Sequence, residues 1–169
     1  MEELQHCEIL KTNINVTNMS DTIKYIAGHL DDLRGKYICV SNVHTTVMSY
    51  ENEEYRKIQN GAAMALPDGA PLSSYSRRKG YKQAQRVTGP DLMLELFAIS
   101  KEKGYRHYFY GATEETLQSM KEVLERDYPG IQIAGMYAPP FRALTPQEDA
   151  QIVAKINEAR PDFIWIGLG

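Results

Sequence analysis

Cysteine is scarce in this chain: Cys7 and Cys39 are the only two among 169 residues. Two thiols are too few for a disulfide framework, and no Cys-x-x-Cys is present. Long apolar runs are missing as well. The most apolar stretch, Phe163 to Gly169, is far too short to cross a bilayer, and residues 1–8 carry acids and no apolar run, unlike a signal peptide. Charge of one sign is also lacking, with 19 Lys and Arg against 22 Asp and Glu and a net charge of -3. A balance this even excludes a disordered polyelectrolyte and leaves no global footprint for nucleic acid. Any recognition of phosphate or membrane must therefore be local. There is no Walker sequence, no His-x-x-x-His pair and no Gly-x-Ser-x-Gly. Nor is there an Asp-x-Asp, with which many sugar-nucleotide enzymes hold a divalent metal, so the sequence offers no support for a metal-centred mechanism. Together these absences predict a reduced, cytosolic protein that meets a membrane only from its surface.

What is present is an alternation of short apolar runs and helical patterns, with no repeat, low-complexity segment or linker. Ser20 is the expected N-cap of a helix carrying Ile23, Ile26, Ala27, Leu30 and Leu33 and ended by Gly35. Tyr37 to Val40 is expected as a buried strand, with Cys39 in the core. Ser41-Asn42-Val43-His44 then leads into a helix through about Gln59. Ala62 to Leu66 is the next strand, followed by a Pro67-Asp68-Gly69 turn in which Gly69 would take φ > 0. Thr88 to Asp91 has the form of a capping box, and Gly104 ends the helix behind it. Tyr105 to Tyr110, Ile131 to Tyr137 and Phe163 to Ile166 read as strands. Between them, helices start at Gly111-Ala112-Thr113, with Glu114 and Glu115 in the first turn, and at the box Thr145-Pro146-Gln147-Glu148.

Strands alternating with helices of ten or more residues predict an α/β, Rossmann-like fold with a mostly parallel sheet flanked by helices. Ligands bind such sheets beyond the carboxyl ends of the strands. That rule selects five loops: Ser41 to His44, Pro67 to Ala70, Gly111 to Thr113, Ala138 to Phe141 and Gly167 to Gly169. A strand followed by Gly-Leu-Gly should lead into a further loop and helix, so the chain is expected to be a shortened form of something longer.

Each candidate has a plain structural reading beside the functional one. Pro67-Asp68-Gly69 is turn chemistry in its own right, and on residues alone the plain turn leads; the alternative is that Asp68 is a carboxylate held at a strand exit, free to act as a base. Asn42 is either a helix cap or a side chain that reads a nucleotide or sugar. His44 reads as a surface histidine. Arg77, Arg78, Lys79, Lys82 and Arg86 crowd five cations into ten residues, with no acid between Asp68 and Asp91. That run is either a solvated helix end or a phosphate-binding surface. The turn at Gly111 is either a capped helix start or a phosphate site. Gly167-Leu168-Gly169 is compatible with the opening of a dinucleotide fingerprint.

Taken in order, several of these loops look like one family. Asn42 after a strand, Leu-Pro-Asp-Gly (66–69), Arg-Val-Thr-Gly-Pro-Asp-Leu (86–92), Tyr-Gly-Ala-Thr (110–113), Asp-Tyr-Pro-Gly (127–130) and Pro-Asp-Phe-Ile-Trp-Ile-Gly-Leu-Gly (161–169) resemble the WecG/TagA/CpsF glycosyltransferases over nearly the whole chain. The resemblance implies a single glycosyltransferase domain over residues 1–169 that lacks the family's C-terminal segment. It implies a bacterial enzyme of wall teichoic acid or related surface polysaccharide synthesis. The reaction would be an inverting, metal-independent transfer of a sugar, N-acetylmannosamine, from a UDP-sugar to a polyprenyl-diphosphate-linked sugar. It would run at the cytoplasmic face of the membrane, with no cofactor and no nucleic acid, homo-oligomers being left open. The family's catalytic Asp falls on Asp68. Substrate contacts are expected at Asn42, Ser41, Gly69, Arg86, Thr88, Gly89, Gly111, Tyr137, Gly167 and Gly169, and acceptor-diphosphate or membrane contacts at Arg77, Arg78, Lys79 and Lys82. A Thr common two residues before the Asn is Val40 here, with Ser41 adjacent. Two other readings stand beside this one: a nucleotide-dependent oxidoreductase whose fingerprint opens at Gly167, and a sugar-nucleotide-binding module without catalysis.

Overall fold

The expected alternation of strands and helices is present, but its parallel strands fall into two sheets. The computed structural model describes residues 4–168. Its backbone divides into two units, one up to Glu95 and one from Leu96.

The first unit opens with a hairpin that does not figure in the periodicity reading: β1 (His6–Ile9) pairs antiparallel with β2 (Thr12–Asn15). Cys7, Ile9, Thr12 and Ile14 turn inward. The two-residue turn, Leu10-Lys11, has φ of 48° and 65°. Such turns usually carry Asn-Gly, so the sequence signal for this one is weak. Helix α1 (Met19–Gly28) starts ahead of Ser20. Asn18 is the N-cap; its side chain accepts from Asp21 N–H at 3.0 Å and donates to the Asp21 carboxylate at 2.7 Å. The helix also stops at Gly28, and irregular turns run on to Gly35, where φ is 71°.

β3 (Ile38–Ser41) and β4 (Met64–Pro67) pair in parallel with Ser41 opposite Pro67. Between them lie two helices where one was expected. Asn52 divides α2 (Val43–Glu51) from α3 (Glu53–Gly61) and caps the second by accepting from Tyr55 N–H. β4 is buried throughout, whereas β3 is only half-buried and Val40 is exposed, correcting the expectation of a buried strand there. Cys39 does pack against the core of Cys7, Ile9, Ile14, Ala65 and Leu72. Each fully buried aliphatic side chain of this kind contributes about 1.5–3 kcal/mol. α4 (Ala70–Arg78) follows β4, and α5 (Gly89–Lys103) begins behind Thr88, whose hydroxyl accepts from Asp91 N–H at 3.1 Å.

The second unit holds β5 (Arg106–Gly111), α6 (Glu114–Asp127), β6 (Gln132–Tyr137), α7 (Pro146–Ala159) and β7 (Phe163–Gly167). Its parallel sheet has the order β6-β5-β7, so each helix serves one crossover. The local signals hold here. Thr113 caps α6, and Thr145 and Glu148 form the reciprocal box on α7 with Pro146 in its first turn. The interior is aromatic. Phe97 meets His107, Phe109, Tyr128 and Trp165 edge-on, with centroids 4.9–5.9 Å apart. His107, fully buried, accepts from Trp165 Nε1–H on Nδ1 at 3.0 Å. Nε2 must then carry the proton, which it donates to Ser100 Oγ at 2.7 Å; that hydroxyl in turn donates to the Leu96 carbonyl. Burial lowers the His107 pKa to about 4, partly offset by Asp162.

Candidate functional site

In the first unit, the exits of β3 and β4 meet around Asp68. This residue directly follows β4, and its N–H donates to the Ser41 carbonyl at 2.9 Å, so the end of one strand holds the first residue beyond the other. Its side chain is 26% exposed. Gly69, which follows, has φ -80° rather than the expected positive value and serves as the N-cap residue of α4. A Cβ built on Gly69 would lie 3.7 Å from both Asn42 Cα and Val43 N. The starts of α2 and α4 therefore adjoin beside Asp68. Asn42 is the N-cap of α2. Its side-chain oxygen accepts from Thr45 N–H at 3.1 Å, and its own N–H donates to Thr45 Oγ1 at 2.9 Å, so the cap reading is correct for that oxygen; the residue is exposed, and its side-chain NH₂ has no hydrogen-bond partner among the described residues.

Arg86 completes the group. Its backbone segment is pinned on both sides: Gln85 N–H donates to Thr17 O at 2.8 Å and Val87 N–H to Pro67 O at 2.9 Å. From there its Nε–H donates to the Asp68 carbonyl oxygen, and its Nη2 reaches Asp68 Oδ1 at 3.3 Å. Asp68 Oδ2 has no partner among the described residues. The pairing of Arg86 with Asp68 spans 18 residues of sequence. No spacing rule would find it.

The remaining first-unit candidates divide. Ser41 is fully buried and donates to Gln59 Oε1 at 2.8 Å; its hydroxyl is thus taken up inside the protein. The Thr88 hydroxyl serves the start of α5. Gly89 lies against Val40, whose methyl groups would sit 3.5 Å from an added Cβ. In the basic run, the Arg77 guanidinium donates to the Ala84 carbonyl at 2.8 Å and to Ser74 Oγ at 3.0 Å, stapling the turn after α4. Lys79 stands over the Tyr75 ring at 5.5 Å. Arg78 and Lys82 are exposed.

In the second unit, the exits of β5 and β7 touch. Gly111 is buried with φ 135°, and a Cβ there would fall 2.1 Å from the Gly167 carbonyl oxygen, so only glycine fits. Ala112, at φ 58°, donates its N–H to the same oxygen at 3.3 Å. Beside this turn Tyr137 stacks on Tyr110, with centroids 5.9 Å apart and planes at 21°. Tyr110 does not figure among the sequence candidates; the parallel register that sets it opposite Tyr137 is the signal for it. Gly169 lies outside the described residues.

The glycosyl transferase WecG/TagA/CpsF family model matches residues 7–169. The chain belongs to that family. Among curated relatives, the N-acetylglucosaminyldiphosphoundecaprenol N-acetyl-beta-D-mannosaminyltransferase of Bacillus spizizenii is 29% identical over 141 residues, covering 83% of this chain and 53% of that protein. The protein of the same name from Bacillus subtilis is 27% identical over 155 residues, covering 90% of this chain and 58% of its own length. That of Staphylococcus aureus is 23% identical over 164 residues, covering 96% and 63%. The chain thus spans between about half and two thirds of the length of these curated relatives. As a WecG/TagA/CpsF family member it carries the Asp68 and Arg86 loops and the Gly111 turn inside the matched region. Among the described residues, no helix is long and apolar enough to cross a membrane.

Proposed function

We propose that this protein is an inverting, metal-independent glycosyltransferase that moves N-acetylmannosamine from a UDP-sugar to a polyprenyl-diphosphate-linked sugar, with Asp68 as general base. The observation that carries the reading is Asp68 itself: a carboxylate at a strand exit, flanked by two helix starts, held by the backbone of Ser41 and by Arg86, with one oxygen left open. The relatives' printed names supply the sugar and the lipid-linked acceptor.

A sugar hydroxyl is a poor nucleophile at neutral pH. In the proposed step its proton passes to Asp68 Oδ2 as the oxygen bonds to the anomeric carbon of the donor. The bond from that carbon to the UDP oxygen breaks on the opposite side, inverting the centre, and UDP leaves with the electron pair. General-base assistance of this kind is typically worth about 10²–10⁴-fold. The negative charge gathered by UDP calls for backbone N–H groups or cations. The resemblance assigns the nucleotide to Asn42, Gly111 and the Gly-Leu-Gly at 167–169; the second unit's glycine turn is suited to a diphosphate, and Tyr137 stacked on Tyr110 beside it is suited to a flat base. Asn42 commits its side-chain oxygen to the helix cap and keeps its NH₂ for a nucleotide or sugar oxygen. Arg78, Lys79 and Lys82 remain the residues proposed for the acceptor's diphosphate or an anionic membrane surface, placing the protein peripherally at the cytoplasmic face.

The deciding experiment is Asp68→Asn in the full-length protein, which keeps size and turn preference and removes the basic oxygen. Transfer should fall by about 10²-fold or more while UDP affinity and melting temperature stay near wild type. Near-normal transfer in a folded Asn variant overturns the assignment. Titration with UDP and with NAD separates this reading from the oxidoreductase, and turnover separates it from a binding module.

A further inference from the structure

We infer that Arg86 is a positioning residue that acts through Asp68, rather than a direct ligand of the substrate's phosphates; the inference rests on Asp68 being the base. A guanidinium that served a substrate phosphate would be expected to present its fork to the open side. Here the Nε–Nη2 edge, which can pair two acceptors, is turned onto a single residue of the protein, and the rest of the side chain stays exposed. Nε–H donates to the Asp68 carbonyl and Nη2 to Asp68 Oδ1, so one rigid, planar group fixes both the backbone and the side chain of the same aspartate. A lysine offers one point charge and cannot span both acceptors in that way.

The support behind Arg86 fits the same role. The segment carrying it is anchored one residue before, by Gln85 N–H to Thr17 O, and one residue after, by Val87 N–H to Pro67 O. Val87 and Ala84 are almost wholly buried. Val87 bonds to Pro67, the residue immediately before Asp68, so the strut and the base share one anchor. Asp68 is thereby held at three points: N–H by Ser41, carbonyl by Arg86 and Oδ1 by Arg86. The acceptor hydroxyl then meets Oδ2, whose direction is set before substrate arrives. Preorganisation of this kind acts on the chemical step, since a displacement of about 1 Å at a reacting group can cost about 10²-fold.

The test is a double-mutant cycle on transfer, using Asp68→Asn, Arg86→Gln and both together, with the KM for the UDP-sugar, UDP affinity of the free protein and melting temperature measured alongside. If Arg86 acts through Asp68, Arg86→Gln lowers kcat by about 10–100-fold with the donor KM and UDP affinity changed less than about threefold, and it costs less than about twofold more in the Asp68→Asn background. Arg86→Lys restores only part of the loss. Equal loss from Arg86→Gln in both backgrounds, or a loss expressed in donor KM and UDP affinity, overturns the inference and returns Arg86 to the substrate. If Asp68→Asn alone leaves transfer near normal, it is the general-base reading that fails, and the positioning role falls with it. Should Arg86→Gln unfold, Arg86→Lys with the same readouts carries the cycle.

Discussion

The two units hold their strand exits by different means. In the first, buried polar side chains stand among the apolar ones near the exit. Ser41 bonds Gln59, Asn15 Oδ1 accepts from Ala65 N–H at 2.6 Å, and Thr17 and Thr22 share a buried hydrogen bond at 3.0 Å. In the second, the exit stands on an aromatic stack of Phe97, His107, Phe109, Phe163 and Trp165, and ends in a glycine-to-carbonyl contact with no room for a side chain. Hydrogen bonds have direction, so the polar interior can aim a carboxylate. In the second unit the buried hydrogen-bond chain of Trp165, His107 and Ser100 stays inside the aromatic packing, and the loop beyond it presents backbone instead. A charged pair sits on the first kind of support and a bare glycine turn on the second.

The largest effect expected from disturbing this contrast is at Gly111. Gly111→Ala must face both a positive φ and overlap with the Gly167 carbonyl, each of which costs about 1–3 kcal/mol. A loss of about 3 kcal/mol or more in denaturant unfolding is expected, with amide exchange rising in β5 and β7. A loss below about 1 kcal/mol would show that the two exits can separate without strain.

Next is the pH dependence of the second unit's interior. His107 has a folded pKa of about 4 against an ordinary 6.5, because burial disfavours the imidazolium. Between those values the unfolded chain binds the proton and the folded one does not. The stabilising contribution is therefore complete above about pH 6.5 and is lost as the pH falls towards 4, by up to about 3 kcal/mol at 1.36 kcal/mol per unit. Urea unfolding at pH 7 and pH 4.5 measures the slope. His107→Phe should flatten the slope, and an unchanged slope in that variant assigns the acid sensitivity elsewhere.

The smallest effect belongs to the polar support. Ser41→Ala leaves the buried Gln59 Oε1 without its donor and should cost about 1–2 kcal/mol. If the polar interior aims Asp68, this variant should also slow transfer more than it weakens UDP binding. A change in stability alone would make Ser41–Gln59 a matter of packing.

Much of the second unit was legible in advance. Thr113 and Thr145 cap the expected helices, Gly104 follows α5 at φ 70°, and the strands are displaced by a residue or less at each end. These features depend on neighbours three or four residues apart. The first unit was less legible although its signals are as local, because rival caps stand close together there and one helical pattern conceals a second start. Asn18 rather than Ser20 caps α1 because Thr22 and Asp21 both bond back to it. Asn52 breaks the helix expected to reach Gln59 because it can cap the next one. The hairpin turn at Leu10-Lys11 uses residues that give no turn signal.

The candidate site shows a similar division. Asp68 on a Pro-Asp-Gly sequence after an apolar run, Asn42 at a helix start and the order of the family's motifs are properties of the chain read along its length, since each rests on local chemistry and spacing. That Arg86 grips Asp68, that Ser41 turns inward to Gln59, that Trp165 sets the His107 tautomer and that Gly111 lies on Gly167 are decided only in three dimensions. Those partners are 18 to 58 residues apart in sequence, and nothing in their spacing favours one pairing over another. Gly111 and Gly167 meet because parallel pairing brings two strand exits to one edge; Gln59 comes from a helix, Arg86 from a loop, and Trp165 from inside a neighbouring strand, and directional hydrogen bonds and close packing select each partner.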